Sequence, residues 1–163
     1  MNSVKKRTTV VFEPHSGLDA HILSEFERLL LFLKEKGVII NRIGTNLIIS
    51  APSEFLMRAT ECIKLIEYGV PFERARIFFE KEEYYHIIEL DKEELSRKIG
   101  RIIGTNGKTK RNLEKIIGVS IFVKDNRVII VGNFDSVERA KDAILRIVKG
   151  KPQNIVINRF QRP

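Results

Sequence analysis

The chain has 163 residues, which suits one large or two small domains, and 43% of them are hydrophobic, enough to bury a core. The formal net charge of +8 favours an acidic partner, although a generic basic surface gives the same total. A single cysteine excludes an internal disulfide and a thiolate metal cluster, and it favours an intracellular protein. No apolar run reaches the length of a membrane span, so no membrane association is expected.

The first half of the chain has the element order of a small α/β unit. Apolar residues at helical spacing run from Leu18 to Leu33, and Gly37 is a good C-terminal cap for that helix. The predicted elements are a strand over 8–12, this helix, strands over 38–43 and 47–49, a helix over 53–68 and a short helix to residue 80.

The second half repeats this plan and carries most of the charge. Residues 1–80 hold 11 Lys and Arg against 10 Asp and Glu, net +1, whereas residues 81–163 hold 18 against 11, net +7. The predicted elements are a strand over 84–90, two helices joined by a glycine loop, strands over 119–123 and 128–131, and a helix over about 136–149 with Asp135 and Glu138 at capping-box spacing.

The two halves correspond residue by residue at an offset of 81, the separation of Gly37 and Gly118. The same offset, without a gap, pairs Ile48 with Ile129, Ile49 with Ile130, Arg58 with Arg139, Ala59 with Ala140 and Ile63 with Ile144. The sequence therefore predicts a duplicated domain.

The stretch from Leu95 to Gly118 contains the glycine loop, Gly104-Thr105-Asn106-Gly107. Glycine lacks a Cβ, so the loop can adopt left-handed conformations and approach a ligand closely. A helix that begins near Gly107 directs its free amides and the positive end of its dipole at that ligand, which favours a phosphate. Six Lys and Arg residues and no acid lie between positions 97 and 111, so an anion is the expected guest.

The first copy lacks this loop. The offset places the loop positions on Leu23-Ser24-Glu25-Phe26, inside the long first helix. We expect that helix to run through uninterrupted and the first copy to have kept the fold while losing phosphate binding. The surface of the first copy is then free for protein contacts or for supporting the second copy.

Strand, helix, G-x-x-G loop, helix, two strands and a closing helix is the order of a type I KH domain, whose hallmark this loop resembles. In KH domains that loop clamps about four backbone nucleotides of a single strand. Residues 95–114 also resemble the signature L-S-R-x-I-G-R-I-x-G-x-x-G-K-T-K-x-x-x-E of the Partner of Nob one (Dim-two) family of small-subunit assembly factors.

The resemblance covers most of the chain, because that family pairs a degenerate KH-like domain without G-x-x-G with a C-terminal KH domain. It implies an α/β (α+β) fold of two tandem type I KH-like domains, with a degenerate domain over 1–80, a KH domain over 81–151 and a C-terminal tail over 152–163. This chain departs from the family in three places. It lacks the long N-terminal extension common in the family, its loop has Thr105 and Asn106 in place of the usual residues, and its tail after Pro152 does not match.

By that resemblance the protein is a non-enzymatic factor that binds single-stranded precursor small-subunit rRNA near its three-prime end and helps to position processing enzymes. The implied partners are the Nob-one endonuclease, the Dim-one dimethylase and the pre-small-subunit ribosomal particle. The implied location is the nucleus, nucleolus and cytoplasm, and no cofactor is implied.

The RNA-binding residues that we expect on these grounds lie in the loop, its basic flanks and a base groove near the first strand that follows. They are Arg97, Lys98, Arg101, Ile103, Gly104, Thr105, Asn106, Gly107, Lys108, Lys110, Arg111 and Ile121. Lys108 and Lys110 would neutralise phosphates, and Ile103 and Ile121 would wall the groove.

Other functions have weaker support. A Krr-one-like assembly factor and a protein-interaction adaptor of KH fold remain alternatives. A nucleotide-binding P-loop would need glycine where Ile102 stands. His15, His21 and His86 lack metal-ligand spacing with one another or with Cys62, so neither a metal site nor a catalytic constellation is predicted.

Overall fold

The computed structural model of the protein describes residues 7–13 and 20–161. The chain forms two compact units that divide between Glu82 and Glu83, two residues beyond the division expected from the sequence. The shift has a local cause, because the helix that closes the first unit continues to Lys81.

In the described part of the chain, the first unit has three strands and three helices, and its antiparallel sheet has the order β1-β3-β2. Its elements are β1 (Arg7–Phe12), α1 (Ala20–Glu35), β2 (Ile39–Ile43), β3 (Asn46–Pro52), α2 (Ser53–Glu67) and α3 (Phe72–Lys81). Buried and half-buried residues alternate along β3, so one face of the sheet packs on the core. Cys62 is fully buried among these elements, as expected of a small core residue.

The second unit has the same sheet order, here β4-β6-β5, also antiparallel. Its elements are β4 (Tyr84–Glu89), α4 (Leu95–Ile103), a short turn of 3-10 helix (Thr105–Gly107), α5 (Lys108–Ile117), β5 (Ser120–Lys124), β6 (Arg127–Gly132), α6 (Phe134–Val148) and α7 (Gln153–Gln161). The second strand, third strand and following helix begin 81 residues after their counterparts in the first unit. The mixed α/β fold and the duplication are therefore as predicted.

Helix α1 continues through the positions that match the glycine loop. It runs without a break from Ala20 to Glu35 and buries Ile22, Phe26, Leu29 and Leu33 on one face. The expectation that the first copy has no clamp loop is confirmed, although Leu18 lies outside the described residues.

The end of the chain differs from the expected tail over 152–163. Residues Gln153–Gln161 form α7, whose Val156 and Ile157 are buried in the core of the second unit. Because adjacent apolar residues on one side of this helix cover the core, the segment belongs to the folded unit.

One other local expectation is corrected. The N-cap of α6 is Asn133, whose side chain accepts a hydrogen bond of 2.9 Å from the Ser136 amide, so Asp135 lies inside the first turn. The aromatic residues near the boundary pack within their own units: Phe79 contacts Phe32 and Phe55, and Tyr84 contacts Phe134.

Glu25 occupies the position that matches Asn106, and it holds the start of α3. Its carboxylate accepts a 2.6 Å hydrogen bond from the Phe72 amide and a 3.1 Å bond from Arg28. Arg28 in turn bonds to Glu73 at 2.6 Å. The bond from the Phe72 amide is the main cause that lowers the pKa of Glu25 below its ordinary value of 4.5.

We predict that Glu25→Ala lowers the free energy of unfolding at pH 7 by roughly 2 kcal/mol, as expected for a hydrogen bond to a charged group. Because the folded-state pKa is depressed, this stabilisation is complete above the ordinary value of 4.5 and is lost as the pH falls below it. Denaturant unfolding of both proteins between pH 7 and pH 3 measures the difference. A difference that stays constant over this range would contradict the assignment.

Candidate nucleic-acid interface

Helix α4 ends at a loop with three residues in the left-handed region. Gly104 has φ 74°, Asn106 has φ 52° and Gly107 has φ 73°. The Gly104 amide donates to the Gly100 carbonyl at 2.8 Å, and the Gly107 amide donates to the Gly104 carbonyl at 3.1 Å. The chain therefore turns tightly within four residues, and Thr105 and Asn106 are exposed at the tip of the loop.

Position 104 requires glycine because the side chain of Thr109 lies beside it. A Cβ at this position would lie 2.2 Å from Thr109 Oγ1 and 2.8 Å from the Thr109 backbone nitrogen. Thr109 itself is buried, so it cannot move aside at low cost. At Gly107 a Cβ would meet only the flexible head of Arg111, at 2.8 Å. Thr109 is not among the residues expected from the sequence, because its role depends on a contact that spacing alone does not reveal.

Helix α5 begins directly after the loop. Its N-cap is Gly107, which supplies no side-chain cap. The first turn of a helix has amides without intrahelical acceptors and carries the positive end of the dipole. This end of α5 can therefore hold an anion that approaches the loop.

The cations expected to bind phosphate fall into two groups in the structure. Arg97 forms an ion pair with Glu94, Lys98 bonds to Asp91 at 2.5 Å and Lys110 bonds to Glu114 at 2.9 Å. Arg101 donates to the carbonyl of Lys151 at 2.8 Å. These four side chains are engaged within the second unit.

Lys108 and Arg111 form the second group. Among residues 7–13 and 20–161, neither has a hydrogen-bond or ionic partner, and both are exposed at the start of α5. Their charge lies within one helical turn of Gly107. They are the cations of the expected set that are available to an incoming anion.

The apolar side of the site differs at one expected residue. Ile103 is half-buried beside the loop, as a groove wall requires, but Ile121 is fully buried in the core and has no surface to offer a base. Val123 lies on the same face of β5, two residues further on, and is only partly buried against that core. Val123 and Ile99 thus join Ile103 as apolar residues at the surface of this region.

Glu114 ties the second helix to the neighbouring strand. One of its carboxylate oxygens accepts bonds from Lys110 Nζ at 2.9 Å and from the Ile121 amide at 2.8 Å. Lys110 therefore supports the geometry of the site through Glu114. Helix α5 and strand β5, the two sides of the region behind the loop, are held at a fixed spacing.

Two other ligand classes find no support in the described part of the chain. The segment Gly107-Lys108-Thr109 follows helix α4, whereas a P-loop follows a strand. No group of three or more His, Cys, Asp or Glu residues among the described positions is arranged to hold a metal ion. None of the described helices combines the length and apolar character needed to cross a bilayer.

Comparison with known families identifies the fold of the second unit. The sequence model of the second KH domain of PNO1, a eukaryotic type KH-domain (KH-domain type I), matches residues 79–163. The chain belongs to the PNO1 family of KH-domain proteins. The resemblance inferred from residues 95–114 is thereby confirmed.

Three relatives of known name are similar to this chain. The RNA-binding protein PNO1 of Oryzias latipes is 31% identical over 108 residues, 62% of this chain and 44% of that protein. The pre-rRNA-processing protein pno1 of Schizosaccharomyces pombe is 34% identical over 76 residues, 47% of this chain and 32% of that protein. The chain thus spans less than half the length of the curated relatives that it matches.

The third relative is Dim2p from Pyrococcus horikoshii OT3. Its crystal structure has 25% sequence identity and a TM-score of 0.81, covering 96% of this chain and 99% of that chain. A chain of the a/eIF2alpha-aDim2p-rRNA complex from the same organism gives 25% identity and a TM-score of 0.74, covering 96% and 93%. Because both units are covered, the prediction of two tandem KH-like domains is confirmed.

We predict that Gly104→Ala destabilises the second unit far more than Gly107→Ala. Both changes place a Cβ at positive φ, which costs about 1–2 kcal/mol, but only residue 104 also collides with buried Thr109. Gly104→Ala should cost at least about 3 kcal/mol once strain is added. Gly100→Ala is the matched control: it lies in α4 with open space around it and should stabilise by about 0.5–1 kcal/mol. Equal losses at 104 and 107 in denaturant unfolding would remove the role given to Thr109.

Proposed function

We propose that the protein binds single-stranded precursor small-subunit rRNA through loop 104–107 and the first turn of α5. The observation that carries this proposal is the position of Lys108 and Arg111, which lack partners among the described residues and flank an uncapped helix start. A cationic helix N-terminus beside a sharply turned loop is suited to the phosphates of a nucleic-acid backbone.

Single-stranded RNA fits this surface better than a duplex. A KH loop clamps about four backbone nucleotides and leaves the bases to a groove beside it. Ile99, Ile103 and Val123 are partly buried apolar side chains in this region, and unstacked bases can lie against such residues. The exposed amides of Thr105 and Asn106 and the two cations contact phosphate in this arrangement.

The relatives support a ribosomal RNA target, and the family resemblance of residues 95–114 suggests the finer target and the partners. PNO1 proteins are RNA-binding and pre-rRNA-processing proteins, and Dim2p occurs in a complex with rRNA. On this basis the chain binds precursor small-subunit rRNA near its three-prime end within the pre-small-subunit particle. It has no catalytic role of its own there: it holds the RNA where the Nob-one endonuclease and the Dim-one dimethylase meet it.

The proposed location follows from the same relatives. Pre-rRNA processing in a cell with a nucleus corresponds to the nucleus and nucleolus, and we extend the proposal to a cytoplasmic pool that travels with the particle. Imaging of the tagged protein tests both parts, and a tagged protein outside the nucleolus at all times contradicts the first.

A protein-interaction adaptor is the second candidate, favoured by the outer face of the first sheet. Val11 and Ile43 are 62% and 64% exposed, and Ile39 is 49% exposed. Strand alternation and the register of β1, β2 and β3 place all three on the face opposite buried Leu47 and Ile49. An adaptor retains its partners in a pulldown after ribonuclease treatment, whereas an RNA-bridged assembly loses them.

We predict that Lys108→Ala/Arg111→Ala weakens RNA binding at least about tenfold and makes it less dependent on salt. Each phosphate contact to single-stranded RNA contributes about 0.7 to the slope of log affinity against log salt, so two contacts contribute about 1.4. Fluorescence anisotropy with a labelled single-stranded RNA at several salt concentrations measures both quantities. Lys115→Ala is the control, since Lys115 is an exposed cation at the far end of α5 and should leave the slope nearly unchanged.

We also predict the RNA that is bound in cells. Crosslinking followed by sequencing should place reads on the three-prime end of precursor small-subunit rRNA, and Thr105→Asp/Asn106→Asp should abolish them by setting like charge against phosphate. Ser24→Asp, at the matching position of the first unit, should leave the reads in place. Reads spread over unrelated RNAs would retain the clamp but reject the ribosomal target, and reads unaffected by the double variant would reject the clamp.

A further inference from the structure

We propose that helix α7 sets the position of the RNA-binding loop through Arg101 and Gln153, which act as positioning residues and do not contact RNA. Arg101 lies in the last turn of α4, three residues before Gly104. Its guanidinium donates to the Lys151 carbonyl at 2.8 Å, and its own carbonyl accepts from Gln153 Nε2 at 2.5 Å. We call this pair of bonds the α7 latch.

The α7 latch turns the charge of Arg101 away from RNA. Arg101 Nε is buried and has no partner in the described part of the chain, so the guanidinium is enclosed on one side and bonded on the other to Lys151, two residues before α7. A cation held this way adds little to a phosphate site that already has Lys108 and Arg111 exposed. From the sequence, Arg101 is expected to bind RNA, whereas its hydrogen bonds make it part of the α7 latch.

Helix α7 is a firm support for this latch. Val156 and Ile157 are buried in the core of the second unit, and the Arg139 guanidinium lies 5.8 Å from the centre of the Phe160 ring. Helix α7 also packs directly against α5. The helix before the loop and the helix after it therefore share one brace, and the loop between them cannot shift without disturbing it.

The first unit holds its closing helix by a different contact. Its closing helix α3 begins at Phe72, which matches Gln153, and is tied to Glu25, which matches the loop residue Asn106. That tie uses a side chain at the loop position itself. In the second unit the tie lies at Arg101, before the loop, and leaves Thr105 and Asn106 exposed. Bracing and ligand contact are thus separated in the copy that we propose binds RNA.

The first test uses the free protein, so it is independent of the proposed function. In Gln153→Ala, hydrogen exchange at the Gly104 and Gly107 amides should speed up about fivefold to tenfold, because their acceptors lie in the braced segment. Asn154→Ala, an exposed neighbour on α7, is the matched control and should leave these amides unchanged. Unchanged exchange in a folded Gln153→Ala protein would overturn the proposal, as would an equal effect of Asn154→Ala.

The second test rests on the proposed function and uses the same labelled single-stranded RNA. Arg101→Ala and Gln153→Ala should each weaken RNA binding about threefold to tenfold. The double variant should bind RNA no more weakly than the weaker-binding of the two single variants. None of the three variants should change the slope of log affinity against log salt. A slope lowered by about 0.7 in Arg101→Ala would mean that Arg101 contacts a phosphate, and the proposal would fail. If the unaltered protein binds no RNA, the proposed function fails and the exchange experiment alone decides the latch.

Discussion

The second unit depends on a steric constraint between Gly104 and Thr109. Because the Thr109 side chain fills the space that a Cβ on residue 104 would need, the two helices can approach only with a bare backbone between them. This close approach ends α4 at Gly104, and α5 then starts from Gly107, which supplies no side-chain cap. The amides and the two exposed cations of the site all owe their position to it. Where this constraint is absent, as in the first unit, a single helix occupies the same place.

The two units show how one scaffold supports different uses. Sheet order, the start of the third strand and the start of the following helix are the same in both, so the scaffold does not depend on the loop. What differs is a short stretch of the first helical segment, where Glu25 stands in one copy and Asn106 in the other. The first copy uses the side chain to hold its own closing helix. The second presents backbone to the outside.

Much of this could be predicted from the sequence because the information is local or repeated. Helical and strand periodicities located the elements, and the offset of 81 residues located the missing loop in α1. The same offset aligns Gly69 and Pro71 with Gly150 and Pro152, and α3 with α7, so the helical nature of the last segment was also present in the repeat.

The rest depends on contacts between residues far apart in the chain. A count of cations cannot show that Lys98 meets Asp91 or that Arg101 reaches Lys151, because an ion pair or a hydrogen bond depends on where the backbone places its partner. The KH resemblance places a base groove beside the strand near Ile121 and so predicts that Ile121 forms one of its walls. Ile121 lies on the face of β5 that packs against the helices, and alternation alone does not show that Val123, on the same face, is less buried.

Glu114 has a consequence for how selective the site is. By joining Lys110 to the Ile121 amide, it fixes the separation of α5 and β5 before any ligand arrives. A surface shaped in advance loses little conformational entropy when it is occupied, so more of the contact energy remains as affinity. The same rigidity penalises a ligand of the wrong width, since the walls do not adjust to it. In the proposed complex, Glu114 would therefore favour slender single strands over bulky duplexes without contacting the RNA itself.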